Sequence, residues 1–410
     1  MSIRAAILVF VFYAAGASAR QWYYEPEIYL EGGNDNNPVL LSDESTETPE
    51  SDIPTEDLRN QNFAIAGGEF RIGSESEDDS LVFALIGAAR RYEADILDSE
   101  RLGASIEYDK ATLRGDYSVS TGYSQDSTLE TELEDTGQVQ NNTNRNEFFL
   151  EPSTSFRISE VFTAELDFRY RDITFDRDIT SDTESDTFIE FEEFYTVARL
   201  ERRISNQLDL TGELDYLIYA PTDEVGTGIL EESFTSLLLG INYRIDERNS
   251  FSLELGSGRR KTDLLAPDGS TSTQLDQNNG VYRFEFEHIG LRSSLAIELG
   301  STYDSSAAGG LTRTERTSID YSIPLSPRNT FGLAAVYLIR NPIEGEAEER
   351  EYFEINPYLT WEASPYLSFT FDILFRDQNL TSTVSNDSTS ADSTSFTIGA
   401  VYNWGRKLIK

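Results

Sequence analysis

The chain has no cysteine, one methionine and one histidine in 410 residues. Without cysteine there is no disulfide framework and no thiolate metal site. Chemistry that needs two imidazoles is excluded as well. Basic residues are scarce: 33 Lys+Arg stand against 73 Asp+Glu, a formal net charge of −40. Such a charge repels a phosphate backbone, so nucleic acid is not an expected partner. Apolar residues are 38% of the chain, low for a water-soluble globule of this length. Aromatics, in contrast, are plentiful (24 Phe, 21 Tyr, 3 Trp), so the acidic excess does not describe a disordered tail. A modest apolar content has to be placed economically.

The longest apolar run is at the N-terminus. Arg4 precedes the uncharged stretch Ala5 to Ala15, and Ala17-Ser18-Ala19 is a small-residue cleavage site before Arg20. This is the pattern of a secretory signal peptide over residues 1–19, cleaved after Ala19. Its apolar segment is too short to span a bilayer, which takes about 20 residues. No cysteine follows, so a lipoprotein signal is excluded. Residues 20–410 hold no further run of helical-span length.

In the remainder the recurring pattern has period two, the spacing of a strand with two unlike faces. Phe162, Ala164, Leu166, Phe168 and Tyr170 alternate with Thr163, Glu165, Asp167, Arg169 and Arg171. Leu208, Leu210, Leu214, Tyr216 and Ile218 alternate with Asp209, Thr211, Glu213, Asp215 and an apolar Leu217. Similar writing recurs at Phe251–Leu255, Leu295–Leu299, Leu367–Phe375 and Phe396–Trp404. Connections alternate too. Short turns are expected at residues 158–160, 204–207, 245–249, 324–328 and 364–366. Longer acidic segments lie at 125–145, 176–187, 221–232, 261–279, 341–350 and 378–394. Short turns at one end and long polar loops at the other describe a transmembrane antiparallel up-and-down β-barrel. About 18 strands are expected, the first near residues 21–30 and the last ending near Trp404. Residues 73–115 read least clearly, which leaves 16 open.

A soluble β-sandwich would bury its apolar faces in a two-layer core without needing so many aromatics at strand ends. A solenoid would show a short fixed repeat, and none is present. Tyr117, Tyr123, Phe156, Phe162, Tyr170, Phe175, Tyr216, Tyr282, Tyr337, Tyr402 and Trp404 fit the two aromatic girdles of a membrane barrel. The expected location is the cell outer membrane, with lipid and lipopolysaccharide as surroundings.

Residues 123–176 carry a further resemblance. Thr128-Leu129-Glu130, Glu134-Asp135-Thr136-Gly137, Arg145 and Pro152, and the early segment 26–42 with its Asp-Asn loop, are similar to an outer-membrane β-barrel family associated with PEP-CTERM/exosortase and exopolysaccharide systems. The likeness is dense over roughly an eighth of the chain. It implies an outer-membrane barrel and a genomic neighbourhood, without a catalytic motif. The ending departs from the pattern of such barrels, because Trp404 is followed by residues 405–410.

Chemistry is sparse. His288, the sole histidine, lies at the end of an apolar row beside a turn, where an interfacial role suffices. The i, i+2 carboxylate pairs Glu165/Asp167 and Glu213/Asp215 recur as a polar lumen would write them, so no catalytic, cofactor or metal residues are assigned. The inward, pore-lining candidates are Glu165, Asp167, Arg169, Arg171, Glu213, Asp215, Glu254, Arg283, Glu285, Glu298, Glu354, Asp372 and Arg376. Carboxylates outnumber guanidiniums among them, so an open pore would favour cations or neutral solutes. Two readings stay open: a porin-like conduit, and a non-conducting structural or adhesive scaffold. The loop acids Asp43, Glu44, Glu47, Glu50 and Asp52, with Asp126, Glu130, Glu132, Glu134 and Asp135, are candidates to gather divalent cations or meet polysaccharide. Residues 20–61 are too short for the folded plug of a TonB-type receptor. Asp268-Gly269 and Asn279-Gly280 read as turns, and Arg114-Gly115-Asp116 as part of a strand.

Overall fold

The computed structural model describes residues 20–41, 58–129, 143–176, 188–222, 229–265, 271–306, 309–341, 348–382 and 388–409. Eighteen long strands make one sheet. They are β1 (Gln21–Asp35), β2 (Gln61–Glu75), β3 (Asp79–Tyr92), β4 (Ser99–Thr112), β5 (Gly115–Ser127) and β6 (Asn144–Arg157). Then come β7 (Phe162–Phe175), β8 (Phe191–Arg203), β9 (Leu208–Pro221), β10 (Ile229–Arg244), β11 (Asn249–Leu265) and β12 (Thr271–Ile289). The last six are β13 (Ser294–Ser305), β14 (Leu311–Ser326), β15 (Asn329–Asn341), β16 (Glu348–Ser364), β17 (Leu367–Ser382) and β18 (Ser388–Asn403). Each pairs antiparallel with its neighbours in sequence, and β18 pairs back onto β1, so the sheet is a closed barrel.

Closure is completed by the tail. The β1–β18 register runs from Glu27↔Asn403 to Asp35↔Ser395, which leaves the first residues of β1 uncovered. After Gly405 reverses the backbone at φ 65°, a two-residue strand β19 (Lys407–Leu408) covers Tyr23 and Tyr24. Arg406 locks this end: it lies 2.7 Å from Glu25 and 2.8 Å from Glu75, with its guanidinium 3.8 Å from the Tyr23 ring centre. The residues beyond Trp404 thus cap an edge that would otherwise present unpaired amides.

Short turns do join strands at one end, as at Leu113-Arg114, Pro327-Arg328 and Pro365-Tyr366. At another, the Asp246 carboxylate accepts amide hydrogen bonds from Arg248 and Asn249, which hold its pKa below the usual range. Several sequence expectations need correction. Residues 261–279 and 378–394 are mostly strand, because β11, β12, β17 and β18 run on past the apolar rows. Asn279-Gly280 therefore lies inside β12, with ladder pairs to β11 supplying the hydrogen bonds a turn would have made locally. Arg114-Gly115-Asp116 straddles the β4–β5 turn. Residues 73–115, the uncertain section, supply the end of β2, the whole of β3 and β4 and the start of β5, so the count is 18. The signal segment and the loop acids at 43–52 and 130–135 lie outside the described residues, as does Asp268-Gly269.

Two faces of the wall differ as alternation requires. The outward rows are apolar and exposed: Leu30, Leu85, Leu237, Leu239 and Leu255 are all more than half exposed. A continuous belt of this kind has no stable place in water, but needs no cover in hydrocarbon, where a closed sheet pairs every backbone amide. The outward aromatics Tyr117, Tyr123, Phe156, Tyr216, Tyr337, Tyr402 and Trp404 are exposed. Phe175 is not among them: it is buried on the inner face. The chain is a transmembrane β-barrel of the outer-membrane type. Replacing Leu239, about midway along β10, with Arg should cost about 2–4 kcal/mol of folding stability in lipid vesicles. Urea titration read by heat-modifiable gel mobility measures this; a neutral result would mean the row does not face lipid.

Candidate functional site

Side chains on strands that are not neighbours can meet only through the lumen, and such contacts identify the inner face. Arg283 on β12 reaches past β10 and β11 to Glu213 on β9 (3.0 Å) while also holding Glu254 on β11 (2.7 Å). Arg199 on β8 hydrogen-bonds Glu213 through Nε (2.7 Å) and lies 3.5 Å from Glu254. Two guanidiniums and two carboxylates therefore form one ladder across β8–β12. Arg376 reaches past β18 to Asp35 on β1 (2.6 Å), and the Ser393 hydroxyl also donates to Asp35 (2.7 Å).

All thirteen expected inward residues lie on these inner rows. Arg169 pairs with Glu193 (2.8 Å) and Arg171 with Glu147 (3.3 Å). The Ser236 hydroxyl donates to Asp215 (2.6 Å). Glu165 faces Arg199 in register, and Asp167 faces Val197. Glu285 and Glu298 stand opposite one another across β12–β13, and each accepts a hydroxyl hydrogen bond at 3.3 Å, from Ser252 and Ser318 respectively. Like charges directly opposite are unfavourable, so this stretch of wall keeps its charge in contact with lumen water. Glu354 accepts the Tyr352 hydroxyl, and Asp372 sits between Tyr358 and Thr397. The guanidinium-paired ladder thus occupies β7–β12, with a separate Arg376–Asp35 pair between β17 and β1, and Glu285 and Glu298 are held by hydroxyls instead. A cavity of about 430 Å³ opens at the turn end of the lumen, lined by Arg199, Asp209, Glu254, Glu285, Glu287 and Glu298 among others. His288 points outward, with Nδ1 2.8 Å from the Asn249 side-chain oxygen; Asp126 lies 3.2 Å from Arg101.

Sequence reasoning missed Arg199, Glu193, Arg260 and Glu232. Their strands mix apolar and charged residues on the inner face, so alternation was blurred. Tyr195 and Val197 flank Arg199 there, and Phe234 and Leu238 follow Glu232.

It also missed an apolar core inside the lumen. Ile173, Phe175, Phe191, Leu217, Tyr219, Phe234, Leu238, Val281, Tyr303 and Leu311 form one buried cluster. It exists because β13 parts from β12 and the loop end of the β13–β14 hairpin bends inward, with β14 still paired to β15 as far as Arg313↔Asn341. β12 and β13 share only seven register pairs, from Arg283↔Gly300 to Ile289↔Ser294, whereas the other seams of consecutive strands have eleven or more. Beyond Gly300 the hairpin tucks beneath the inner faces of β8–β12. Tyr303 stacks on Phe234 with ring centres 4.2 Å apart, and its hydroxyl meets the Asn279 side chain. The Leu311 amide donates to Glu232, itself held by Arg260 (2.7 Å) and Thr262 (2.8 Å). The Ser305 hydroxyl donates to Glu193. Burying Tyr303 and Leu311 here contributes on the order of 2 kcal/mol each. The hairpin narrows the loop end of the lumen.

No protein family and no curated sequence matches this chain. Among solved structures it is similar to OccK5 (OpdH) of Pseudomonas aeruginosa, with 12% identity over 94% of this chain and 98% of that one, TM-score 0.45. It is also similar to the FrpB iron transporter of Neisseria meningitidis (8% identity, 95% and 82% covered, TM-score 0.49) and to the ferric enterobactin receptor PfeA of P. aeruginosa (7%, 94% and 81%, TM-score 0.48). At these identities and scores the barrel reading stands on strand pairing and the apolar outer face.

Replacing Arg283 with Met should lower stability by about 2 kcal/mol, less than for a fully buried pair because a third of the side chain meets water. Adding Glu213→Gln should recover part of that loss. Equal, additive costs in the double-mutant cycle would show that the two do not interact.

Proposed function

We propose that the barrel is a porin-like conduit of the outer membrane that passes small hydrophilic cations and neutral solutes in preference to anions. The observation that carries this is the inner wall: a closed 18-strand barrel is wide enough for an aqueous channel. Its inner rows are charged, with carboxylates at Glu285, Glu298 and Asp372 that have hydroxyl rather than arginine partners among the described residues adding to those that arginines neutralise. Such a wall raises the local concentration of cations. Reconstituted protein in planar bilayers should give discrete conductance steps, and a reversal potential in a KCl gradient should favour K⁺ over Cl⁻. Anion preference would overturn the selectivity, and silence under all conditions would overturn the conduit.

The second reading is a non-conducting structural or adhesive scaffold. It is favoured by the hairpin tucked into the lumen and by the ion-pair ladder beneath it, which together narrow the passage. A silent barrel whose loop deletions abolish surface attachment would support it.

The finer form of the proposal makes the conduit an outer-membrane component of an exopolysaccharide or PEP-CTERM system, with lipopolysaccharide around it and polysaccharide or divalent cations at its acidic loops. Its support is the resemblance over residues 123–176. In the described part of that stretch, Arg145 pairs with Glu147 (2.7 Å) and Pro152 lies in β6. Loss of released polysaccharide on deleting the gene, restored by complementation, would support it; unchanged release would remove it.

A further inference from the structure

The unusual seam points to a moving part. β12 is 19 residues long, yet only its last seven pair with β13. Above Arg283, the side of β12 that faces away from β11 has no strand partner among the described residues. At the point of separation the Tyr282 amide N–H donates to the Ser301 hydroxyl at 3.3 Å. A bare strand edge of this length is something folded proteins ordinarily cover.

The register says what would cover it. Extending the observed pairing past Arg283↔Gly300 sets Tyr282 opposite Ser301, Val281 opposite Thr302, Gly280 opposite Tyr303 and Asn279 opposite Asp304. A separate observation singles out one of these pairs. In this barrel tyrosine rings on the inner face lie over a glycine directly opposite on the next strand: Tyr29 over Gly67, Tyr23 over Gly73 and Tyr358 over Gly332. Gly280 has nothing within 4 Å of where a side chain would begin. The continued register brings Tyr303 to it, on the outward face at the loop end of the apolar belt, where barrels place aromatic girdles.

We propose that the outer half of the β13–β14 hairpin is a gate with two seats. In the tucked seat, Tyr303 stacks on Phe234 and the hairpin narrows the lumen, leaving the β12 edge bare. In the zipped seat, β13 continues its ladder along β12, Tyr303 covers Gly280 on the outer surface, and the hairpin leaves the lumen. The tucked seat is held by Tyr303 and Leu311 in the apolar cluster, by Asn279 on the Tyr303 hydroxyl, by the Leu311 amide on Glu232 and by the Ser305 hydroxyl on Glu193. The zipped seat replaces them with backbone ladder bonds, so both are discrete packed states rather than a continuum. Gly300 at the branch, and Gly309 and Gly310 with φ of 107° and 92° at the tip, mark where the hairpin bends. The gating role rests on the conduit reading; the existence of the second seat does not.

A chain without cysteine makes the test direct. A Val281→Cys/Thr302→Cys double variant reports the first step of the extended ladder, and Asn279→Cys/Asp304→Cys, further from the branch, reports the zipped seat. Phe284→Cys/Leu299→Cys, already paired in the ladder, is the positive control. Heat-modifiable mobility confirms folding. Under mild oxidant in vesicles both reporter pairs should cross-link, faster when Leu311→Ser weakens the tucked seat. Single-channel conductance should rise at least twofold on oxidation and fall back with reductant. Cross-linking of the control alone would overturn the second seat. Cross-linking with unchanged, non-zero conductance would overturn the gate. Cross-linking of the reporters in a barrel that never conducts would leave the two seats standing and refute the conduit.

Discussion

Backbone hydrogen bonding in hydrocarbon is the constraint on which this structure depends. A strand in a bilayer has no water to satisfy its edge, so the sheet must close on itself. Consecutive pairing carries the chain from β1 to β18, and the seam of β1 with β18 and β19 joins the distant ends. The residues after Trp404 finish that seam. β19 covers the start of β1, and Arg406 ties it to Glu25, Glu75 and Tyr23. An ending that departs from a terminal aromatic thus has a local reason: β1 is longer than the part of β18 that meets it.

Closure also explains the composition. The outward rows are covered by lipid rather than by a second layer, so half of each strand can be polar and the apolar content stays low. The inward charges are then affordable in physical terms because each is either wet or paired. Arg199 and Arg283 share Glu213 and Glu254 across four strands, which braces one side of the wall. The remaining carboxylates meet hydroxyls and water and give the lumen its acidic balance. Scaffold and conduit are therefore built from the same residues, and what separates them is how far the hairpin fills the space above the ladder.

Much of the wall was legible in advance. Period-two rows such as Phe162–Tyr170 and Leu208–Ile218 state their two faces, because successive side chains of a strand must point oppositely. The inner position of Glu213, Asp215 or Arg376 follows from that alone. Where the inner face was itself apolar, the reading failed. Phe175 looked like a girdle residue and Leu217 like an exception, since alternation says which side a residue faces and not what waits there. Strand ends were misplaced for a related reason: the polar extensions of β11 and β12 carry no apolar row to mark them, and Asn279-Gly280 resembles a turn until its ladder to β11 is seen.

Alternation, turn spacing and charge were enough to give a β-barrel of about 18 strands, its lipid-facing rows and the acidic character of its interior. These follow from local periodicity, from the spacing of turns and from charge, all of which are properties of neighbouring residues. Contacts across the barrel were needed to show which arginine holds which carboxylate, that ten apolar side chains meet inside the lumen, and that β13 parts from β12 after Gly300. Those depend on contacts between strands far apart in the chain, such as Tyr303 with Phe234 and Leu311 with Glu232, and no periodicity within one strand encodes what lies across the barrel.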